Sequence, residues 1–255
     1  MTEDRVALVT GVSRRVGIGA AIARRLAAQG YRLLLTGLPA YDDAQPYGGD
    51  PDGIPGLLAE LDCPASYSAA DLAEPGAPEG LVRAAVERFG ALDVVVANHT
   101  YSTPTVFGSL DAAEVDRHLL VNVRGTLLLV QAYAAAYDEA RGGGRVVLFS
   151  SGQRLGPMPG ELAYAASKAA VENLTGNLSY LLAPRGVTVN CVNPGPTDTG
   201  WLAPEDAVRV RGGFPTGRIG MPDDAARLVA WLCSPDAEWI NGQVVDSEGG
   251  FRRWT

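Results

Sequence analysis

Short apolar runs alternate along this chain with amphipathic stretches, and glycines or prolines stand at most of the joints. Residues 6–10 predict a short buried strand, followed by a turn of Gly and Arg over 11–19. Residues 20–29 predict a helix closed by Gly30, and 32–36 a second strand. Residues 38–55 are rich in Pro, Gly and Asp and predict a surface loop. A helical turn is expected at 57–61 and a third strand at 67–70. Helical spacing over 80–89 precedes a strongly apolar fourth strand at 92–97. Residues 111–140 predict one long helix or two abutting ones, stopped by Gly142, Gly143 and Gly144. A fifth strand follows at 145–150, a helix at 163–182 ended by Pro184 and Gly186, and a sixth strand at 187–192. A helix at 223–233 and a strand at 243–246 complete the pattern. Strands that alternate with helices predict one α/β domain whose parallel sheet is covered on both faces.

Composition narrows what such a domain does. The 255 residues are 47% hydrophobic and 20% charged, which suits a globular chain with one substantial core. A net charge of −8 disfavours nucleic-acid binding, so an anionic ligand needs local backbone N–H groups or arginines. Cys63, Cys191 and Cys233 have neither metal-ligand spacing nor a disulfide framework, and only His99 and His118 add imidazoles, so no metal site is expected. No uninterrupted apolar run reaches about 18 residues, and the N-terminus lacks a signal-peptide pattern. The expectation is a soluble, cytoplasmic protein without a membrane partner.

Two local patterns carry chemistry. Gly11, Gly17 and Gly19 sit between an apolar strand and a helix, where backbone can approach a pyrophosphate at the helix N-terminus. An ordinary tight strand-to-helix turn uses the same glycines. Tyr164 and Lys168 are four residues apart, which on a helix places them on one face, about 6 Å apart along the axis. An ammonium beside a phenol favours the phenolate, so Lys168 is expected to lower Tyr164 from about 10. Ser151 falls just beyond the fifth strand, at the sheet edge where α/β proteins place their sites. Its hydroxyl can donate to a carbonyl, or simply cap a turn.

Together these residues resemble the classical short-chain dehydrogenase/reductase family, including its 3-oxoacyl reductase-like members, from Thr10 to Gly250. Thr10-Gly11 and the Gly17-Ile18-Gly19 pair match its dinucleotide loop. Five residues, Val12, Ser13, Arg14, Arg15 and Val16, separate the first two glycines where the family usually has three. Asp71-Leu72 is similar to its adenine-contacting pair, and Asn98 to the Asn after its fourth strand. His99-Thr100 replace the usual Ala-Gly and add bulk beside the expected cofactor path. Asn122 matches the Asn of the catalytic tetrad, and Asn193-Pro194-Gly195 the loop that approaches the nicotinamide. The resemblance implies a Rossmann-like doubly wound sheet and hydride transfer between a nicotinamide cofactor and a ketone or secondary alcohol. In that scheme Tyr164 is the acid/base, Lys168 also holds ribose hydroxyls, Ser151 orients the carbonyl, and Asn122 supports a proton relay through water. It also implies a homotetramer or homodimer.

Cofactor and substrate choice rest on single residues. The second strand ends in Leu35-Thr36-Gly37-Leu38, without the carboxylate that usually holds an NAD ribose. Arg14 and Arg15 can meet a 2′-phosphate, so NADP(H) is favoured. NAD(H) stays open, because the loop bearing Asp42 and Asp43 can fold back toward the ribose. Pro194, Gly195, Thr197 and Thr199 are candidates for the carboxamide or phosphates, with a plain local turn as the alternative for the threonines. Residues 200–215 predict a substrate flap, with Trp201 beside Gln153 as substrate-contacting candidates and Tyr101, Leu155, Pro157 and Met158 completing a mixed wall. Two other functions stay open: a nicotinamide-binding regulator without turnover, and an enoyl reductase on the same scaffold. The Ser151–Tyr164–Lys168 spacing favours carbonyl chemistry.

Overall fold

The computed structural model describes residues 4–253. Seven parallel strands form one sheet in the order β3-β2-β1-β4-β5-β6-β7. They are β1 Val6–Val9, β2 Arg32–Leu35, β3 Ala65–Tyr67, β4 Val94–Ala97, β5 Gly144–Phe149, β6 Val187–Asn193 and β7 Val244–Asp246. The helices are α1 Ile18–Ala28, α2 Pro39–Asp43, α3 Gly53–Glu60, α4 Ala77–Phe89, α5 Ala112–His118, α6 Thr126–Ala136, α7 Leu162–Leu182, α8 Pro204–Gly212 and α9 Pro222–Leu232. The chain winds outward from β1 to β3, then returns to place β4 on the other side of β1. That reversal opens a crevice beyond the C-terminal ends of β1 and β4, where doubly wound sheets bind ligands.

The strands read as continuous apolar runs because both faces of the sheet are covered. Alternate residues of each strand enter different cores. Val6, Leu8, Val146 and Leu148 pack with α4, α6 and α7. Ala7, Val9, Val147 and Phe149 pack with α1, α3 and α9. Ile22 and Leu26 of α1 are fully buried in the second core, each contributing about 2 kcal/mol. These two layers fix the sheet edge on which the chemistry sits.

One segment departs from expectation. Residues 38–55 are not a plain surface loop: α2 and the start of α3 lie within them, and the excursion folds back onto the glycine turn. Residues 200–215 carry α8, whose Val210 packs with Phe214 and Ile219 in a small core of its own. The expected long helix spans Ala112–Ala136, with a π-helical segment, Leu119–Gly125, joining α5 to α6. By length and composition that span could cross a membrane. Here Leu129, Val130 and Tyr133 are buried in the core instead, and α6 packs on α4.

Candidate active site

The glycine turn is built by close backbone packing. Gly11 has φ +71°, and a Cβ there would lie 2.7 Å from the Asn98 amide nitrogen. A Cβ on Gly19 would lie 2.4 Å from the Gly11 carbonyl oxygen. Asn98 donates from its amide to the carbonyls of Thr10 and Gly11, each at 3.1 Å, and so joins the end of β4 to this turn. Helix α1 starts at Gly17 without a side-chain cap, which leaves its first N–H groups for an anion. The turn therefore suits a dinucleotide pyrophosphate.

His99 does not crowd this crevice. Its ring is buried, with Nδ1 2.7 Å from the Thr10 hydroxyl and Nε2 3.2 Å from the Thr126 hydroxyl. Burial, and then the charge of Lys168, depress its pKa to about 3. It is a neutral strut between β1 and α6.

Arg14 and Arg15 are both engaged. Arg14 pairs with Asp42 at 3.2 Å and lies 4.1 Å over the Tyr47 ring. Arg15 donates from its guanidinium to both oxygens of Asp50, at 3.0 and 2.9 Å. The carboxylate-bearing excursion has folded back, as the alternative sequence reading allowed, but Asp42 meets an arginine. The Asp71 carboxylate accepts from Ala73 N–H and Arg117, and the Leu72 side chain packs in the core.

The catalytic candidates converge at the ends of β5 and α7. Ser150 is buried and donates to Glu172 and to the Ser151 carbonyl, which leaves Ser151 as the serine that acts on Tyr164. Lys168 lies 5.7 Å from the Tyr164 ring centre and donates to the Phe149 carbonyl at 3.0 Å. Tyr164 lies deep in the cleft but retains an accessible surface. Burial pushes its phenol up to about 12, the Ser151 hydroxyl opposes this, and Glu161 and Tyr41 add to the rise. The expected lowering by Lys168 is not met, because loss of hydration outweighs attraction and the ammonium is turned to a carbonyl. Burial in turn lowers Lys168 to about 8.

Asn122 sits in the π-helical segment, a distortion frequent at functional sites. Its side chain accepts from Tyr101 N–H at 2.7 Å and donates to the Tyr101 carbonyl and to Ser167, each at 2.9 Å. Ser167 donates to the Tyr164 carbonyl at 2.7 Å. The Asn122 side chain thus clamps the post-β4 loop to the helix that bears Tyr164.

Beyond β6, Gly195 has φ +62° and packs against Glu248. Thr197 is buried and donates to the carbonyls of Pro194 and Gly195, the local-turn alternative. Trp201 is half exposed and its indole N–H donates to the Thr197 carbonyl at 2.8 Å. Both polar atoms of the Gln153 amide are buried without a hydrogen-bond partner. A substrate contact by Gln153 would therefore need the surrounding loop to open. Among the described residues no group of His, Cys, Asp and Glu could hold a metal.

Sequence reasoning missed Tyr41, Glu161 and Ser167. Tyr41 arrives from the excursion and has no local signal. Glu161 and Ser167 stand three residues to either side of Tyr164, a helical spacing that could have drawn attention.

A family model described as Enoyl-(Acyl carrier protein) reductase matches residues 11–252. The Bacillus subtilis (strain 168) "Uncharacterized oxidoreductase YjdA" is 40% identical over 258 residues, covering 99% of this chain and 98% of that protein. The "Short-chain dehydrogenase/reductase FrzI" of a Cladobotryum species is 34% identical, covering 97% and 96%. The chain belongs to the short-chain dehydrogenase/reductase family. Among solved structures of this family, a short chain dehydrogenase from Burkholderia cenocepacia J2315 in complex with NADP is 36% identical, with a TM-score of 0.85 over 97% of this chain and 98% of that one. Short-chain dehydrogenase/reductase membership makes the protein an oxidoreductase.

Proposed function

We propose that this protein transfers a hydride between NADP(H) and the carbonyl carbon of a ketone or aldehyde. One observation carries the reading: Ser151, Tyr164 and Lys168 meet at the C-terminal edge of the sheet, beside a glycine cradle that suits a dinucleotide. Gly11 and Gly19 admit the cofactor's backbone contacts, and the uncapped start of α1 faces its pyrophosphate. Arg14 would take a 2′-phosphate by exchanging Asp42 for it. The NADP complex of the Burkholderia relative supports that choice. When bound, the reduced nicotinamide supplies the hydride.

The protein manages the proton. Ser151 donates a hydrogen bond to the carbonyl oxygen, and Tyr164 delivers its proton to that oxygen as the alcohol forms. A phenol pushed up to about 12 keeps its proton at neutral pH, which suits an acid acting in the direction of reduction. Lys168, 5.7 Å from the Tyr164 ring centre, would turn from the Phe149 carbonyl toward the resulting phenolate, and Asn122 holds the loop and helix in register.

The test is consumption of NADPH and NADH with a panel of carbonyl compounds. NADPH should be preferred, and Tyr164→Phe should lower kcat by about 100-fold or more while NADPH affinity holds. A preference for NADH would remove the phosphate argument. The family model's description favours a second reading, enoyl reduction. Identification of the product as an alcohol or as a saturated carbonyl compound separates the two.

A further inference from the structure

The chain beyond β7 returns to the cleft. Gly249 and Gly250 both take left-handed backbone, at φ +58° and +76°, and they turn the tail so that Arg253 meets Glu248. The Arg253 guanidinium donates to both Glu248 oxygens, and both side chains are largely buried. Glu248 also accepts from the Asn193 amide at 2.8 Å, while the Asn193 side-chain oxygen accepts from Gly195 N–H at 3.1 Å. One carboxylate thus joins the tail to the Asn193-Pro194-Gly195 turn after β6.

The same guanidinium lies on the loop after β5. A Cβ on Gly152 would strike it, and a Cβ on Gly156 would lie 2.7 Å from the Arg253 Cδ. Arg253 therefore rests on bare backbone, one residue past Ser151. Arg154 ties the same loop to Asp246 at the end of β7 and to Glu172 of α7. Asp246 in turn accepts from the Asn193 amide at 2.9 Å. The Gln153 amide, in contrast, is buried without a hydrogen-bond partner and anchors nothing. The tail is itself secured: Arg252 N–H donates to the Gly213 carbonyl at 2.9 Å, and the Phe251 and Phe214 rings lie 4.9 Å apart.

We propose that Arg253 is a positioning residue: paired with Glu248, it holds the loop that carries Ser151 in register with the turn that carries Gly195. A planar guanidinium meeting a carboxylate through two bonds leaves little freedom in distance or angle. The spacing of the two loops sets where the Ser151 hydroxyl stands relative to the hydride donor, and errors of about 1 Å in such placements are costly. This role rests on the carbonyl reading above.

A mutant cycle with Ser151 tests it, using the carbonyl compound of the panel that the wild type reduces fastest. Arg253→Met should lower kcat by about tenfold, while the Kd for NADPH, read by fluorescence titration, holds. Arg253→Lys keeps the charge without the fork and should lose only about threefold. In a Ser151→Ala background, followed in single turnovers at high enzyme concentration, Arg253→Met should cost less than about twofold, because the group it positions is gone. An equal loss in both backgrounds, or no loss in the presence of Ser151, overturns the role of Arg253 and leaves carbonyl reduction standing. NADPH binding lost in both Arg253→Met and Arg253→Lys also overturns it, by making the tail a general scaffold. Failure of every carbonyl compound to oxidise NADPH with the wild type overturns the carbonyl reading and this role with it.

Discussion

The two ends of the cleft are held together by different physics. At the proposed catalytic end, Tyr164 and Lys168 lie on one long helix, shielded from water, and burial is the first cause of both pKa shifts. At the proposed phosphate end, Arg14 and Arg15 are held by carboxylates that arrive from the excursion between β2 and β3. The first end is set by local spacing and a low dielectric, the second by ion pairs between distant segments. Substitutions should therefore be costly and pH-sensitive at one end, and graded and salt-sensitive at the other.

Lys168→Met should give the largest effect, lowering kcat/KM by about a thousandfold. The same change should raise stability. Lys168 has a folded pKa of about 8 against an ordinary 10.5, so the folded state loses a proton in that window that the unfolded chain keeps. The stability contribution of this group accordingly rises with pH between those values, and its charged form is a burden below them. Thermal melts at neutral pH should show Lys168→Met with a higher Tm than wild type, and the gap should narrow as pH climbs past 8. A lower Tm at neutral pH would show that its bond to Phe149 outweighs the cost of burial.

Arg14→Ala comes next. It should weaken NADPH binding by about tenfold and leave NADH binding little changed. Asp42→Asn should do the reverse, tightening NADPH by freeing Arg14. Both effects, read by calorimetry, should shrink as salt is added. The smallest effect belongs to Asp50→Asn. Its ion pair with Arg15 is partly exposed, so unfolding in urea should move by no more than about 1 kcal/mol. A larger loss would mean that the excursion is a rigid part of the cleft wall.

The same contrast explains what the sequence revealed. The sheet, its helices and the Ser151–Tyr164–Lys168 group were legible because their signals are local: apolar runs, glycine stops and a four-residue spacing. The direction of the Tyr164 shift was not, since it depends on how much water the fold removes, which no spacing encodes. Asp42 and Asp50 read as loop carboxylates, and only tertiary structure pairs them with Arg14 and Arg15. His99 looked like bulk beside the cofactor, and the fold turns its ring into the core between two threonines. Asn122 was found by its place in the chain, while its clamp on Tyr101 needed the coordinates.

The π-helical turn at Leu119–Gly125 has an evolutionary consequence. Such a turn holds one residue more than regular helix geometry requires, so deleting a single residue there would straighten the rod. The deletion would also carry Asn122 off Tyr101. Point substitutions in this segment away from Asn122 and Gly125 can be absorbed one by one, whereas a change in its length cannot. Descendants of this chain should therefore vary in composition between 119 and 125 but not in residue count.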